Sequence, residues 1–252
     1  MSTVWWLYPA VIGAGILAGF INTLAGSGSL LTLPLLVFMG LPANVANGTN
    51  RIGILFQSIV GSYAFKRQKV LDLKTGYIYG IPTVVGAVAG AILALKIGDI
   101  AMEKAIGVLL VFMFFMILFK PEVWVKGHVG RVQGKPTALN MIIFFAIGFY
   151  GGFIQAGVGL FLLAGLVLGV GIDLVRANAL KVFLVLLYTP VVLLFFMNED
   201  QIDYKLGIIL AIGNSIGAWL GTKVAVSWGP AFIRIVLLLA ILGSSLKLMG
   251  VF

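Results

Sequence analysis

Cysteine is absent from this 252-residue chain, and charged residues make up only 10% of it. The lack of cysteine excludes disulfides, thiolate metal sites and cysteine nucleophiles. No Gly-x-x-x-x-Gly-Lys-[Ser/Thr] phosphate loop occurs, so we expect no nucleotide hydrolysis by this chain. The single histidine, His128, is interpreted as a solvated loop residue. Because the acidic residues fall in or beside predicted loops, we predict no catalytic residue, no metal site and no cofactor, and the chain is not expected to be an enzyme.

Hydrophobic residues, in contrast, are abundant, at 61% of the chain with a mean hydropathy of +1.14. A soluble domain would carry roughly a quarter charged residues. The apolar runs are long enough to cross about 30 Å of hydrocarbon as helices, and they lack the polar alternation of barrel strands. The net charge of +9 comes from Lys and Arg in short connections between these runs, as the positive-inside rule produces, so we expect no nucleic-acid partner. The sequence predicts an all-α, polytopic integral membrane protein whose surroundings are the lipid bilayer.

The chain contains two related copies of one unit. Residues displaced by 131 positions match without a gap over most of each copy. Upstream, Gly-Phe-Ile-Asn at 19–22 resembles Gly-Phe-Ile-Gln at 152–155 at a displacement of 133, so the second copy has lost two residues in the glycine-rich stretch between these regions. The identities include Asn47 with Asn178, Asp72 with Asp203, Lys74 with Lys205, Gly76 with Gly207, Gly86 with Gly217 and Gly90 with Gly221. The first copy has apolar pieces at 4–24, 30–39, 43–65, 76–95 and 101–119, and the second at 137–156, 160–170, 174–197, 206–226 and 231–248. We therefore predict a first transmembrane repeat at 1–119, a linker at 120–136 and a second repeat at 137–252.

Equivalent loops of the two copies differ in charge. The loop at 66–74 is strongly basic, whereas its counterpart at 198–201 is acidic. Because basic loops stay in the cytoplasm, the two repeats are predicted to have inverted topology. The basic linker is then cytoplasmic and both termini lie outside. The second piece of each repeat is too short for a full span, which predicts a broken or re-entrant helix near the start of each repeat.

Short glycine-interrupted segments at matching positions of inverted repeats indicate a transport site. The glycines let the chain turn at membrane depth, and the helix that restarts offers free N–H groups to an anion. The alternative is that the glycines only permit close helix packing. The candidates in these two segments are Asn22, Gly26, Ser27, Gly28, Gln155, Gly157 and Gly159.

A second polar cluster follows each break. Its candidates are Asn47, Thr49, Asn50, Arg51 and Gln57 in the first copy, and Asn178 and Lys181 in the second. Arg51 and Lys181 lie about eight residues inside predicted spans, where an unpaired cation must meet water or an anion. The alternative is that both side chains extend to the membrane interface. The guanidinium fork of Arg51 favours an oxyanion as the partner.

These motifs together resemble a known family. Gly-Phe-Ile-Asn-Thr-Leu-Ala-Gly-Ser-Gly-Ser at 19–29, Leu-Pro-Ala-x-x-Ala-Asn-Gly-Thr-Asn-Arg at 41–51 and Gly-Phe-x-Gly-Gly-Phe-x-Gln-Ala-Gly-x-Gly at 148–159 are similar to the TauE/SafE sulfite-exporter permeases. The resemblance covers almost the whole chain. It implies transport of sulfite, sulfoacetate or another small sulfur-containing anion across a prokaryotic inner membrane, and we carry over no site residue from it.

The leading functional hypothesis is a secondary transporter that works by alternating access around the two breaks. An anion channel is the second hypothesis and a membrane-embedded enzyme the third and weakest, while a structural or signalling protein has low weight. Small residues such as Gly86, Gly90 and Ala94, here called the small-residue face, could pack within the fold or between protomers. A homo-oligomer therefore stays open at this point.

Overall fold

The computed structural model describes residues 7–108 and 136–228. Within these residues all regular secondary structure is helical, and there is no strand. The helices are α1 Leu7–Ala25, α2 Ser29–Phe38, α3 Ala43–Arg67, α4 Leu73–Lys96, α5 Ala138–Phe153, α6 Val158–Ala164, α7 Leu174–Asn198 and α8 Tyr204–Ser227. Residues 99–108 are also helical, and a π-helical turn, Gly165–Val170, continues α6. The all-α prediction is confirmed. The termini, most of the piece at 101–119, nearly all of the linker with His128, and the piece at 231–248 lie outside the described residues, so the three-part division stays a prediction.

Four described helices are long and apolar enough to span a bilayer. They are Tyr8–Ala25, Leu73–Lys96, Leu174–Asn198 and Tyr204–Ser227. The helices α3 and α7 are both 25 residues long. The mean hydropathy of α3 is lower, because polar residues of the second cluster occupy its first half. The short elements α2, with 10 residues, and α6 with its π-helical turn match the predicted broken helices. The chain is a multi-pass membrane protein.

Equivalent aspartates start equivalent helices in the two halves. The Asp72 carboxylate accepts from the backbone N–H groups of Lys74 and Thr75 at the start of α4, and that of Asp203 accepts from Leu206 N–H at the start of α8. Such caps satisfy N–H groups that have no partner within the helix. The repeat seen in the sequence therefore also sets where these helices begin.

The main contacts between described helices recur when the two halves are exchanged. The first helix of each half lies against a later helix of the other half: α1 packs on α8, and α5 packs on α4. In the same way α3 packs on α8 and α7 on α4, and α3 and α7 contact each other. The two halves are thus intertwined, and each of the two hydrophobic core clusters contains residues of both halves. Their opposite orientation across a membrane stays a prediction.

The small-residue face is used inside the fold. A Cβ on Gly86 would lie 2.0 Å from the carbonyl oxygen of Phe145 in α5. Its equivalent Gly217 approaches α1 in the same way, with 2.1 Å to the oxygen of Ile16. Only glycine permits this backbone approach, as in other tightly packed membrane helices. These glycines therefore serve contacts between the halves, and the homo-oligomer stays an untested expectation.

The described loops gather at two ends of the bundle. At one end the Asp203 N–H donates to the Thr49 hydroxyl at 2.8 Å, and Lys205 Nζ donates to the Tyr8 hydroxyl at 2.5 Å. At the other end the loops at 68–72 and 171–173 line a common cavity with Arg176. The side of the membrane on which each end lies stays a prediction.

Candidate functional site

The two glycine-rich breaks contact each other backbone to backbone. A Cβ on Gly26 would lie 2.4 Å from Gly159 Cα, and one on Gly159 would lie 2.3 Å from Gly26 Cα. At the displacement of 131, Ala25-Gly26-x-Gly28 matches Ala156-Gly157-x-Gly159, so the contact joins corresponding segments of the two halves. Gly26 and Gly157 turn the chain with φ of 77° and 71°, a conformation that favours glycine. The breaks therefore meet at the centre of the intertwined halves.

The second break also holds a side chain in an unfavourable backbone conformation. Gln155 has φ of 68°, which costs a non-glycine residue about 1–2 kcal/mol. Its side chain is 1% exposed. A strained, buried glutamine indicates that the surrounding contacts hold this side chain in place.

Arg51 is fully buried and reaches across to the end of α5. Its Nη1 donates to Gly151 O at 3.1 Å and to Gln155 Oε1 at 2.8 Å. Its Nη2 donates to Gly152 O at 2.6 Å and to Asn47 Oδ1 at 3.3 Å. The carbonyl end of a helix carries partial negative charge, so α5 stabilises the guanidinium without a carboxylate.

Lys181 makes the reciprocal contact at the end of α1. Its Nζ donates to Asn22 O at 2.9 Å, to Thr23 O at 2.8 Å and to Asn178 Oδ1 at 2.5 Å. The side chain is 2% exposed, and that of Arg51 is 0% exposed. The alternative in which both cations extend to the interface is therefore wrong. Among the described residues neither cation has a carboxylate partner.

A small cavity lies where the breaks meet the second polar cluster. The space open to the centre of a water-sized sphere is about 10 Å³, roughly one water molecule. Its lining consists of Asn22, Ser29, Ile54, Gln57, Ser58, Gln155, Val158, Gly159, Lys181, Val182 and Val185. Every polar side chain in this set contains a hydrogen-bond donor, and no described lining residue is acidic. Ser58 Oγ and Gln155 Nε2 are buried without a partner. Uncommitted donors beside an ammonium group favour an anion.

The predicted site residues divide into three groups. Those on the cavity are Asn22, Gln57, Gln155, Gly159 and Lys181. Those that shape or support it are Gly26 and Gly157 at the turns, Gly28 against Ala18 O, Ser27 buried beside the break, Asn47 and Arg51 at the end of α5, and Asn178 on Lys181. The third group consists of Asn50 and Thr49, which do not line the cavity. Asn50 Oδ1 accepts from the Thr32 hydroxyl at 2.7 Å, and the Thr49 hydroxyl accepts from the Asp203 N–H at one end of the bundle.

Sequence reasoning missed several lining residues. Val185 lies four positions after Lys181, so helical spacing from that cation could have found it, whereas Val182, one position after Lys181, is not on the same face by spacing alone. Ser58, next to Gln57 in the second polar cluster, and Ser29, at the end of the first glycine-rich segment, belong to the segments that the sequence indicated. Ile54 and Val158 gave no signal, since an apolar residue in an apolar span is unremarkable by pattern alone.

A multi-pass helical bundle with two broken helices around a buried polar cavity has the architecture of a membrane transporter. The family model described as sulfite exporter TauE/SafE matches residues 11–248. The chain therefore belongs to the TauE/SafE family of membrane transporters.

Curated relatives from several bacteria cover nearly the whole chain. A probable membrane transporter protein, YfcA, of Escherichia coli (strain K12) is 29% identical, over 97% of this chain and 93% of the relative. The probable membrane transporter protein ORF9 of Sinorhizobium sp is 26% identical, over 94% and 90%. The probable membrane transporter protein YunE of Bacillus subtilis (strain 168) is 23% identical, over 97% and 99%. No solved structure matches the chain.

Proposed function

We propose that this protein is a permease that moves a small sulfur-containing anion, such as sulfite, sulfoacetate or a related organosulfur compound, by alternating access. The observation on which the proposal depends is the cavity at the two breaks. It combines the Lys181 ammonium with unpaired donors at Ser58 and Gln155, and its described lining has no acidic side chain. The family description, sulfite exporter, supports a sulfur oxyanion as the substrate.

The charge balance of the site favours an anion over a cation. Lys181 and Arg51 are two buried positive charges, and the described residues offer them neutral oxygens but no carboxylate. Buried charge without a counter-charge is costly, and an entering oxyanion lowers that cost. A metal cation or an ammonium substrate would raise it. The two buried positive charges therefore favour an anionic substrate, whatever the shape of that anion.

The size of the cavity supports a carrier over an open channel. Space for about one water molecule is too small for an oxyanion, so the breaks must move apart to admit one. The main helix contacts recur when the two halves are exchanged, so each half can adopt the conformation of the other. Such an exchange would expose the site alternately to the two sides of the membrane. A channel would require a continuous aqueous path, and no observation favours one.

The relatives and the charges of the loops support a cellular location and a topology for this chain. The bacterial relatives support a prokaryotic inner membrane. With the basic loop at 66–74 in the cytoplasm, the linker at 120–136 is also cytoplasmic and both termini lie outside. The contact between Asp203 and Thr49 at one bundle end supports this arrangement, because both segments belong to the outer side in the proposed topology.

The test is uptake of labelled sulfite into proteoliposomes, with thiosulfate and sulfoacetate as competitors. Wild type should show saturable uptake. Lys181→Gln should lower uptake efficiency by about tenfold or more, because the buried positive charge beside the cavity is lost. The matched control is Lys223→Gln, since Lys223 is exposed and its Nζ lies 3.6 Å above the Trp219 ring, away from the cavity.

Each outcome has a defined meaning, provided that both variants elute as folded protein. Uptake that grows linearly with sulfite would indicate a channel. Equal losses in the Lys181 and Lys223 variants would exclude a specific role of Lys181. No uptake of any sulfur anion by wild type would refute the proposed function.

A further inference from the structure

We infer that Arg51 is a positioning residue that turns the amide of Gln155 so that its N–H groups face the cavity and bind the transported anion beside Lys181. The inference rests on the proposed function and assigns different tasks to the two buried cations. Lys181 lines the cavity and supplies positive charge to the anion, whereas Arg51 acts through Gln155.

The orientation of the Gln155 amide follows from donor chemistry. A guanidinium group can only donate hydrogen bonds. The amide atom that lies 2.8 Å from Arg51 Nη1 must therefore be the oxygen of Gln155. The amide nitrogen then points the other way, and it is buried without a partner on a residue that lines the cavity. These two N–H groups are therefore free to bind an anion that enters the cavity.

Arg51 itself is already engaged by the protein. Its two terminal nitrogens make four hydrogen bonds, to Gly151, Gly152, Gln155 and Asn47, and the residue does not line the cavity. Its Nε is buried and unpaired, but it belongs to the same side chain outside the cavity lining. Direct binding of the anion by Arg51 would require breaking several of these bonds.

The backbone at Gln155 supports a functional reason for this side chain. With φ of 68°, the position would suit glycine, yet it holds a buried glutamine between Arg51 and the cavity. The neighbouring turn residue Gly157, with φ of 71°, shows that glycine serves this segment where no side chain is required. A donor amide at position 155 explains why the strain is tolerated.

The first experiment replaces Gln155 by glutamate. Gln155→Glu keeps an oxygen for Arg51 but removes both N–H donors and adds a negative charge that repels the anion. We expect the protein to fold and its sulfite KM to rise by about tenfold or more. Gln68→Glu, the same change in the loop after α3, is the matched control and should leave KM unchanged. If Gln155→Glu is poorly folded, Gln155→Gly provides the test, since glycine fits the backbone and also lacks the donors.

The second experiment separates positioning from direct binding by a double-mutant cycle. Arg51→Lys retains the charge but not the two-pronged geometry that orients the amide. If Arg51 acts through Gln155, Arg51→Lys should raise KM in the wild-type background and change it little in the Gln155→Glu background. Effects that multiply would show that Arg51 contacts the anion itself and would overturn the inference, as would a wild-type KM in Gln155→Glu.

Binding measured without transport keeps this inference distinct from the proposed function. Sulfite should raise the melting temperature of wild type and of Gln68→Glu, but not that of Gln155→Glu. Such stabilisation without any flux in proteoliposomes would refute transport alone. Stabilisation of Gln155→Glu equal to that of wild type would refute the role of Gln155.

Discussion

The contact between Gly26 and Gly159 allows a stability prediction in which two effects can be separated. Each of four glycines is replaced by alanine. Gly13 has a helical backbone and open space, Gly40 has φ of 93° and open space, Gly159 has a close neighbour but no positive φ, and Gly26 has both a φ of 77° and a close neighbour. The four variants thus combine the presence or absence of backbone strain with the presence or absence of a steric clash.

The magnitudes follow from the geometry. Gly13→Ala should stabilise the protein by about 0.5–1 kcal/mol, because alanine is the better helix residue. Gly40→Ala should cost about 1–2 kcal/mol for the left-handed backbone alone. In Gly159→Ala the new methyl group would lie 2.3 Å from Gly26 Cα, at least 1 Å short of the 3.4 Å where ordinary contact begins. Overpacking of this kind costs about 1–3 kcal/mol or more, so Gly26→Ala, with both effects, should lose about 2–5 kcal/mol.

The assay is reversible unfolding of the purified protein in mixed micelles, with sulfite uptake measured in parallel. The expected order of stability is Gly13→Ala, wild type, Gly40→Ala or Gly159→Ala, and finally Gly26→Ala. A Gly26→Ala variant no less stable than Gly40→Ala would show that the two breaks do not touch, and the reasoning about the central site would fail with it. Loss of uptake in Gly159→Ala with its stability retained would instead place the contact in the transport movement.

Two further predictions concern the ends of the bundle. The hydroxyl of Thr75 donates to the Asp72 carboxylate and, as the main cause, holds the pKa of that carboxyl below its usual range. The cap therefore contributes stability above the carboxyl pKa of the unfolded chain, about 3.9, and loses it as the pH falls through the lower folded value; Asp72→Asn should remove this part of the acid sensitivity, and an unchanged pH profile of unfolding would contradict the cap. Because the chain has no cysteine, a single cysteine introduced at Lys69 or Asp200 can report on which side of the membrane its loop lies. In intact cells an impermeant thiol reagent should label position 200 and spare position 69. The reverse pattern would overturn the predicted topology.

Much of the fold was readable from the sequence because its causes are local or repeated. Scarce charge and long apolar runs require helices, since a bilayer leaves no other partner for the backbone. The displacement of 131 aligned Asp72 with Asp203, and the structure shows both as caps of equivalent helices. The glycine-rich breaks were visible at 26–28 and 157–159 because glycine interrupts an otherwise continuous apolar pattern.

The division of labour between the two cations could not be read in this way. By sequence Arg51 was the better oxyanion ligand, since its side chain offers a fork of donors. The tertiary structure places that fork on the end of α5, about 100 positions away along the chain, and leaves Lys181 on the cavity. Which helix end lies beside a buried cation depends on how the halves intertwine, and a pattern along one segment contains no information about that.

The small-residue face shows the same limit. Its spacing along α4 established that another helix packs closely there, but a partner in the same chain and a partner in a second copy would need the same glycines. The contact of Gly86 with Phe145 assigns the face to α5 of the same chain. The sequence by itself determined the membrane class, the helices, the repeat and the position of the breaks, because these depend on burial and on backbone freedom residue by residue. The tertiary structure alone decided which of the buried polar groups meet, because that depends on contacts between segments distant in sequence.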